Sequence, residues 1–176
     1  DTLLGGAGQD QLSGGADHDY LSGGSGNDVL YAAVHGTNYF GQDTLHGGDG
    51  DDNLHGANGR TTIHGDDGND TLTGGNDLAT ADVDELHGGA GDDLVKSGQN
   101  VAPTNAGSQA RGDLLFGNAG QDTLEGGLAN DQLDGGADND TLSGGGGDDH
   151  LRGGSGNDVL YAAVHGTNYF GQDTLH

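Results

Sequence analysis

Aspartate recurs along most of this chain at nine-residue intervals, usually between glycines and a short apolar segment. The clearest copy is Gly23 to Tyr31, GGSGNDVLY, with the pattern Gly-Gly-x-Gly-x-Asp-x-Leu-x. Carboxylates and exposed turn carbonyls are the ligands of hard cations such as calcium, which takes about six to eight oxygens. One turn offers too few ligands, so a bound ion has to be shared between stacked turns.

The other positions of the repeat predict the elements that hold the aspartate. Glycines reach positive φ values and let the backbone wrap closely around a ligand, which indicates a turn. The second half predicts a strand of about three residues, in which Leu30 points inward while Val29 and Tyr31 point outward. Asp28 lies where the turn becomes the strand.

Aligning the copies gives 17 rows, and Thr61 is the only break in their aspartate column. The inward column is aliphatic throughout, from Leu3 to Leu175, with Ile63 and Val95 as its two variants. The aspartate column reads Asp1, Asp10, Asp19, Asp28, Asp43, Asp52, Thr61, Asp70, Asp84, Asp93, Asp113, Asp122, Asp131, Asp140, Asp149, Asp158 and Asp173.

The motif resembles the calcium-binding nonapeptide of RTX (repeats-in-toxin) proteins. The resemblance implies an all-β fold, a right-handed parallel β-roll in which two nonapeptides make one turn. About 17 short strands would then lie in two facing sheets, with odd rows in one and even rows in the other. We expect residues 1–176 to form a single roll, a fragment of a longer repeat array.

Extra residues precede the strands of rows 5, 9, 11 and 17, all of them odd, which predicts loop insertions along one edge of the roll. They lie around Ala32 to Phe40, Asn76 to Asp82, Ser97 to Arg111 and Ala162 to Phe170. The opposite edge has eight intact turns enclosing seven gaps, so we expect about seven calcium ions there. Its predicted side-chain ligands are Asp10, Asp28, Asp52, Asp70, Asp93, Asp122, Asp140 and Asp158.

The interrupted edge predicts only one to three further ions. Asp131 and Asp149 belong to two undisturbed neighbouring turns, and Asp19 belongs to another intact turn. Row 7, GANGRTTIH, lacks both the second glycine and the aspartate. There Arg60 either replaces the missing calcium charge or simply belongs to a degenerate row.

Composition supports an ion-dependent fold. Only 30% of residues are hydrophobic, 40 are glycine, and 29 acidic residues face four basic ones, for a net charge of −25. Such a chain repels itself without counter-ions and is a poor partner for nucleic acid. A glycine-rich flexible coil would explain the composition but not the period, and no EF-hand loop with its closing glutamate and flanking helices is present. No cysteine, signal peptide or membrane-spanning apolar run occurs.

Histidine suggests a second, weaker metal site. His46, His64 and His87 end rows 5, 7 and 9 and should project outward from adjacent strands, close to Glu85. Three imidazoles so placed suit zinc, nickel or copper, although polar residues also simply face water there. The aromatic insertion with Tyr39 and Phe40 either contacts a partner or covers the roll.

Residues 23–46 and 153–176 are identical, insertion included. This identity indicates either a natural tandem duplication with a step of 130 residues or a segment copied by design. The step equals 12 rows, an even number, so both insertions should leave the same edge.

Two functions remain open, and both are non-enzymatic for this chain, since no His-Glu-x-x-His, Gly-x-Ser-x-Gly or cysteine nucleophile is present. An ice-binding face is excluded because the outward positions lack a regular threonine array. The resemblance implies type I secretion and folding on calcium outside the cell. The chain would be part of a secreted or cell-surface adhesin or filament, with end-to-end or lateral self-association, or the folding module of a secreted protease, lipase or polysaccharide-modifying enzyme.

Overall fold

The computed structural model describes residues 1–33, 41–75, 82–98, 111–162 and 174–176. Within them the chain forms short strands joined by glycine turns. The strands are β1 (Thr2–Ala7), β2 (Gln11–Ser13), β3 (Tyr20–Ser25), β4 (Val29–Tyr31), β5 (Asp43–Asp49), β6 (Asn53–His55), β7 (Thr61–Asp67), β8 (Thr71–Thr73), β9 (Glu85–Ala90), β10 (Leu94–Lys96), β11 (Arg111–Ala119), β12 (Thr123–Gly127), β13 (Asn130–Ala137), β14 (Thr141–Gly145), β15 (His150–Ser155), β16 (Val159–Tyr161) and β17 (Thr174–Leu175).

The strands form two parallel sheets. The odd-numbered strands make a nine-stranded sheet in chain order, and the even-numbered strands make an eight-stranded sheet. Each strand pairs with the strand two rows away, and equivalent repeat positions face each other, as Leu45 faces Ile63 and Leu54 faces Leu72. The predicted parallel β-roll, with odd and even rows on opposite sheets, is confirmed.

The core consists of the two aliphatic columns that face each other between the sheets. Leu21, Leu45, Ile63 and Leu86 of one sheet are fully buried, and so are their counterparts in the other. Side chains alternate across a strand, so the neighbours of each leucine face outward. This core is one residue wide on each sheet, as the low hydrophobic content indicated.

Strand length differs from the expectation of about three residues. The even strands β2, β4, β6, β8, β10 and β16 have this length, but strands of the nine-stranded sheet such as β5 run to seven residues. They are longer because the backbone pairing between neighbouring strands continues into the turn, where Gly24 pairs with Gly48. The uninterrupted edge therefore begins as an extension of this sheet.

Some turn positions require positive φ. Gly24 and Gly26 have φ values of 113° and 117°, a region that most side chains disfavour. Asp66 and Asp138 occupy equivalent positions at 76° and 77°, which aspartate tolerates better than most residues. The repeat therefore keeps its turn shape where glycine is replaced.

The strands that follow the four insertions, β5, β9, β11 and β17, all belong to the nine-stranded sheet. Every interruption therefore falls on a connection from the eight-stranded to the nine-stranded sheet, which confirms the single interrupted edge. Most residues of the insertions, including Tyr39 and Phe40, lie outside the described residues. No helix that could cross a membrane occurs in the described part of the chain.

Truncating one core leucine should destabilise the roll. Leu86 is completely buried, so we expect Leu86→Ala to lower the free energy of unfolding by about 2–5 kcal/mol through lost burial and the cavity left behind. The measurement is urea unfolding in saturating calcium. Leu4, which is 70% exposed, provides the control, and Leu4→Ala should change stability by less than about 0.5 kcal/mol. Equal losses would contradict the assigned core.

Candidate metal centre

The repeat aspartates are buried at the two edges of the roll, where turn passes into strand. Asp28, Asp70, Asp122 and Asp140 on the uninterrupted edge are at most 2% exposed. A buried carboxylate is unfavourable unless it is paired and hydrogen-bonded. The two oxygens of each group therefore have to be considered separately.

One oxygen of each carboxylate bonds to the neighbouring turn. On the uninterrupted edge, the backbone N–H of each repeat aspartate donates to Oδ1 of the aspartate one turn later. The pairs are Asp10 to Asp28, Asp28 to Asp52, Asp52 to Asp70, Asp70 to Asp93, Asp93 to Asp122, Asp122 to Asp140 and Asp140 to Asp158, at 2.7–3.1 Å. These bonds fix the orientation of each carboxylate.

The other oxygen, Oδ2, has no hydrogen-bond partner at ten aspartates of the described chain. Seven of these are on the uninterrupted edge and three on the interrupted edge: Asp10, Asp28, Asp52, Asp70, Asp93, Asp122 and Asp140, then Asp19, Asp131 and Asp149. Buried polar atoms without a partner are rare and call for an explanation such as an ion. A cation beside such an oxygen can supply the positive charge that a hydrogen-bond donor would otherwise supply.

A backbone carbonyl comes close to each Oδ2 on the uninterrupted edge. A Cβ built on Gly5 would lie 2.7 Å from Asp10 Oδ2 and 2.6 Å from the carbonyl oxygen of Gly23, one turn later. The same convergence recurs in the next turn at Gly23, between Asp28 and Gly47. Glycine leaves this space open, and two oxygens of different kinds border it, as a hard cation requires.

The interrupted edge repeats this arrangement at some turns only. At Gly14 a built Cβ would lie 2.5 Å from Asp19 Oδ2 and 2.6 Å from the carbonyl oxygen of Ala32, the first residue of an insertion. At Asp84 a Cβ built on Gly74 would likewise lie 2.8 Å from Oδ2 and close to the carbonyl oxygen of Ser97, but here the N–H of Gly75 also donates to Oδ2 at 2.8 Å. A carboxylate oxygen that accepts this bond is no longer without a partner.

Row 7 interrupts the ladder. Because Thr61 has no carboxylate, the N–H of Asp43 donates to the carbonyl of Arg60 at 3.1 Å. The Arg60 side chain is exposed, whereas Thr61 is fully buried. This arrangement fits a degenerate row better than a guanidinium replacing a cation.

Several of these carboxyl groups resist ionisation when no metal is bound. Burial raises the pKa of Asp70 and Asp93 to about 7 and that of Asp131 to about 8, while a backbone N–H bond to each opposes the shift. Neighbouring carboxylates raise it further, as Asp52 does for Asp70. The positive charge of a cation between the turns would offset both the burial and the repulsion that raise these pKa values.

The family model for the RTX calcium-binding nonapeptide repeat, which spans four copies, matches most of the chain. The matched residues are 1–30, 40–63, 55–77, 78–100, 109–142 and 134–163. The chain belongs to this RTX repeat family. The chain matches no curated protein. RTX repeats are structural calcium-binding modules and not catalytic ones, and calcium is the cation that the family binds.

The aspartates that sequence reasoning selected include all ten whose Oδ2 has no partner. The remaining one, Asp158, lies in the last complete turn, is half-buried, and accepts the N–H of Asp140 through Oδ1 at 3.1 Å. No group of three or more His, Cys, Asp or Glu side chains among the described residues clusters closely enough to hold a metal. Calcium in an RTX gap therefore needs backbone carbonyls in addition to aspartate.

Two structural features were missed. One is the Ala32 carbonyl, which takes the place of a glycine carbonyl beside Asp19 and has no signal in the repeat. The other is the residue before the repeat aspartate, which at many positions carries a hydrogen bond between turns. On the uninterrupted edge these residues are all Asn, Asp or Gln, a regularity that could have revealed their role.

The histidines project from adjacent strands of the nine-stranded sheet, as expected, but they stack. Ring centroids of His46 and His64 lie 4.6 Å apart and those of His64 and His87 lie 4.9 Å apart, with planes within 11°. Phe116 continues the column at 4.7 Å from His87, and His87 Nε2 is 3.2 Å from Glu85 Oε1. Imidazole lone pairs lie in the ring plane, so parallel rings do not converge on one ion. The transition-metal site stays a prediction that this stacking does not favour.

The raised pKa values predict an unusual pH dependence in a chelator. Below about pH 4, these aspartates are protonated in both the folded and the unfolded chain. Above about pH 4, they ionise first in the unfolded chain. Folding of the metal-free chain should therefore become less favourable as pH rises from about 4 to 8, through the pKa of about 7 at Asp70 and about 8 at Asp131. Circular dichroism in chelator should show more strand at pH 5 than at pH 8.

The matched variant is Asp131→Asn, which removes the carboxyl with a pKa near 8. It should reduce the difference between pH 5 and pH 8 in chelator. In saturating calcium, the wild-type chain should keep its strand signal at pH 8, because calcium competes best with protons at high pH. A stronger strand signal at pH 8 than at pH 5 without metal would contradict the burial of neutral carboxyls.

Proposed function

We propose that this RTX module is a calcium-triggered folding unit of a protein that acts outside the cell. Calcium would be held in the gaps between turns by Oδ2 of one aspartate and by carbonyls of the next turn on the same edge. The side-chain ligands are Asp10, Asp28, Asp52, Asp70, Asp93, Asp122 and Asp140 with Asp158 on the uninterrupted edge, and Asp19, Asp131 and Asp149 on the other. The single observation that carries the proposal is the buried, partnerless Oδ2 at ten of them.

The number of ions follows from the gaps. The seven partnerless oxygens on the uninterrupted edge support about seven calcium ions there, one for each pair of successive turns. The three on the interrupted edge support up to three more. Asp84 supports none, because both of its oxygens accept backbone N–H groups, those of Thr61 and Gly75.

Calcium acts in this proposal as the switch between unfolded and folded chain. Without it, ten carboxylate oxygens would be buried without a donor in a chain of net charge −25. The paired leucine columns are too thin to offset this cost together with the chain entropy. Folding and ion binding therefore occur together.

An extracellular location fits this switch. Extracellular calcium modules have Kd values on the order of 10⁻⁴–10⁻³ M, so they stay empty at the low calcium level of a cytosol. A chain that is unfolded inside the cell and folds after export suits type I secretion. The absence of cysteine is compatible with this route, because calcium takes the place of disulfides as the crosslink.

The favoured parent is a repetitive surface adhesin or filament. Residues 23–46 recur unchanged at 153–176, and a step of 12 rows keeps both copies on the same sheets. Such repetition suits a long structural array that could associate end to end or laterally. The alternative, the folding module of a secreted protease, lipase or polysaccharide-modifying enzyme, requires a catalytic domain elsewhere in the parent protein, and the flanking sequence decides between the two.

Calcium titration of the metal-free chain tests the proposal. Strand signal in circular dichroism should appear cooperatively as calcium is added and disappear with a chelator, while light scattering on the same samples reports particle length. Calorimetry should count about seven to ten ions. Full strand signal in strong chelator at pH 8 would overturn the switch.

One substitution on each edge tests the site assignment. Asp70→Ala removes both the acceptor of the Asp52 N–H and a partnerless Oδ2, so it should remove one or two ions. Thr61→Ala, in the row without an aspartate, is the matched control and should leave the stoichiometry unchanged. Equal losses from the two variants would contradict the assignment.

A further inference from the structure

The residue immediately before each repeat aspartate, here termed the pre-aspartate residue, forms a second ladder between turns. At five of the seven gaps on the uninterrupted edge, its side-chain oxygen accepts the N–H of the pre-aspartate residue one turn later. The bonds run from Asp51 N–H to Asn27 (3.2 Å), Asn69 N–H to Asp51 (3.0 Å), Asp92 N–H to Asn69 (2.9 Å), Gln121 N–H to Asp92 (2.8 Å) and Asn157 N–H to Asn139 (2.8 Å).

This ladder runs opposite to that of the repeat aspartates. The N–H of Asn69 donates to a side chain of the preceding turn, at Asp51. The next N–H, of Asp70, donates to a side chain of the following turn, at Asp93. Two consecutive peptide groups are thus tied in opposite directions, which fixes the distance between three successive turns.

The acceptor on the pre-aspartate residue is always an atom at the δ position, whether neutral or charged. On the interrupted edge, Asn130 Oδ1 accepts the N–H of Asp148 at 3.0 Å, and a histidine nitrogen, His18 Nδ1, accepts the N–H of Gln42 at 2.8 Å. The ladder therefore requires a hydrogen-bond acceptor at a fixed distance from the backbone, and it does not require a negative charge.

Glutamine provides an internal comparison. Its oxygen lies one bond farther from the backbone, and among the described residues neither Gln9 nor Gln121 bonds to the pre-aspartate residue of the next turn, Asn27 or Asn139. The ladder of the uninterrupted edge is interrupted at these two places. Both places border a gap that has a partnerless aspartate oxygen, at Asp10 and at Asp122.

We infer that the pre-aspartate residues are positioning residues that set the calcium affinity of individual gaps. This inference rests on the proposed function. Each bond adds support to the separation at which the Oδ2 of one aspartate and the glycine carbonyl of the next turn face the same space, a separation that the turns at Gly5 and Gly117 have without such a bond. Gaps that follow an Asn or Asp with this hydrogen bond bind calcium more tightly than the two gaps that follow Gln9 and Gln121.

The loss-of-contact test is Asn69→Ala, with Asn69→Asp as the conservative variant. A hydrogen bond of this kind contributes about 0.5–1.5 kcal/mol, so its loss should raise the calcium concentration at half-saturation by roughly two- to tenfold. Asn69→Asp keeps the acceptor for the Asp92 N–H and should restore the wild-type value. Strand signal in saturating calcium should stay at the wild-type level, and the melting temperature should fall by no more than the weaker calcium binding accounts for, which separates positioning from general destabilisation.

The gain-of-contact test is Gln121→Asn, which supplies the missing acceptor for the Asn139 N–H. It should lower the calcium concentration at half-saturation by a factor of the same size, and it remains informative if Asn69→Ala fails to fold. If wild type responds to calcium but Gln121→Asn binds no more tightly and Asn69→Ala no more weakly, this inference is overturned while the proposed function stands. If wild type shows no calcium-dependent folding, the proposed function fails and takes this inference with it.

Discussion

The whole structure depends on the burial of carboxylate oxygens that have no donor. Each repeat aspartate uses Oδ1 to accept an N–H from the neighbouring turn, which leaves Oδ2 facing a glycine and a carbonyl. Burying such a group costs several kcal/mol unless it is neutralised or paired. Three features surround this Oδ2. The glycine leaves the space beside it open, the carbonyl borders that space, and the hydrogen bond to Oδ1 orients the carboxylate.

The apolar core supplies register more than stability. Fully buried side chains such as Leu45, Ile63 and Leu86 repeat every turn, and any slip by one residue would move this column to the outer face. Each turn contacts only its neighbours, so stability is a sum of similar local terms. An ion between two turns would strengthen the interface that the leucines align, and would let a protein with so little apolar surface form a continuous roll.

Much of this architecture follows from the sequence because the repeat makes each local choice agree with the next. The nine-residue period predicted the strands, and the even step between insertions predicted one interrupted edge. Features that arise between turns could not be read from one row. These include the extension of β5 through its glycines, the opposite directions of the two ladders and the stacking of His64 between His46 and His87.

The duplicated segment shows why sequence alone does not define an ion site. Asp28 and Asp158 have identical neighbours, and so do Tyr31 and Tyr161. Strand β4 pairs with β2 on one side and β6 on the other, and Asp28 is 1% exposed with a partnerless oxygen. Strand β16 pairs with β14, Tyr161 is 46% exposed, and Asp158 is half-buried. The same nonapeptide is thus buried to a different extent according to the turns stacked on it in the described residues, so the unit proposed to hold calcium is the gap between two repeats and not the single repeat.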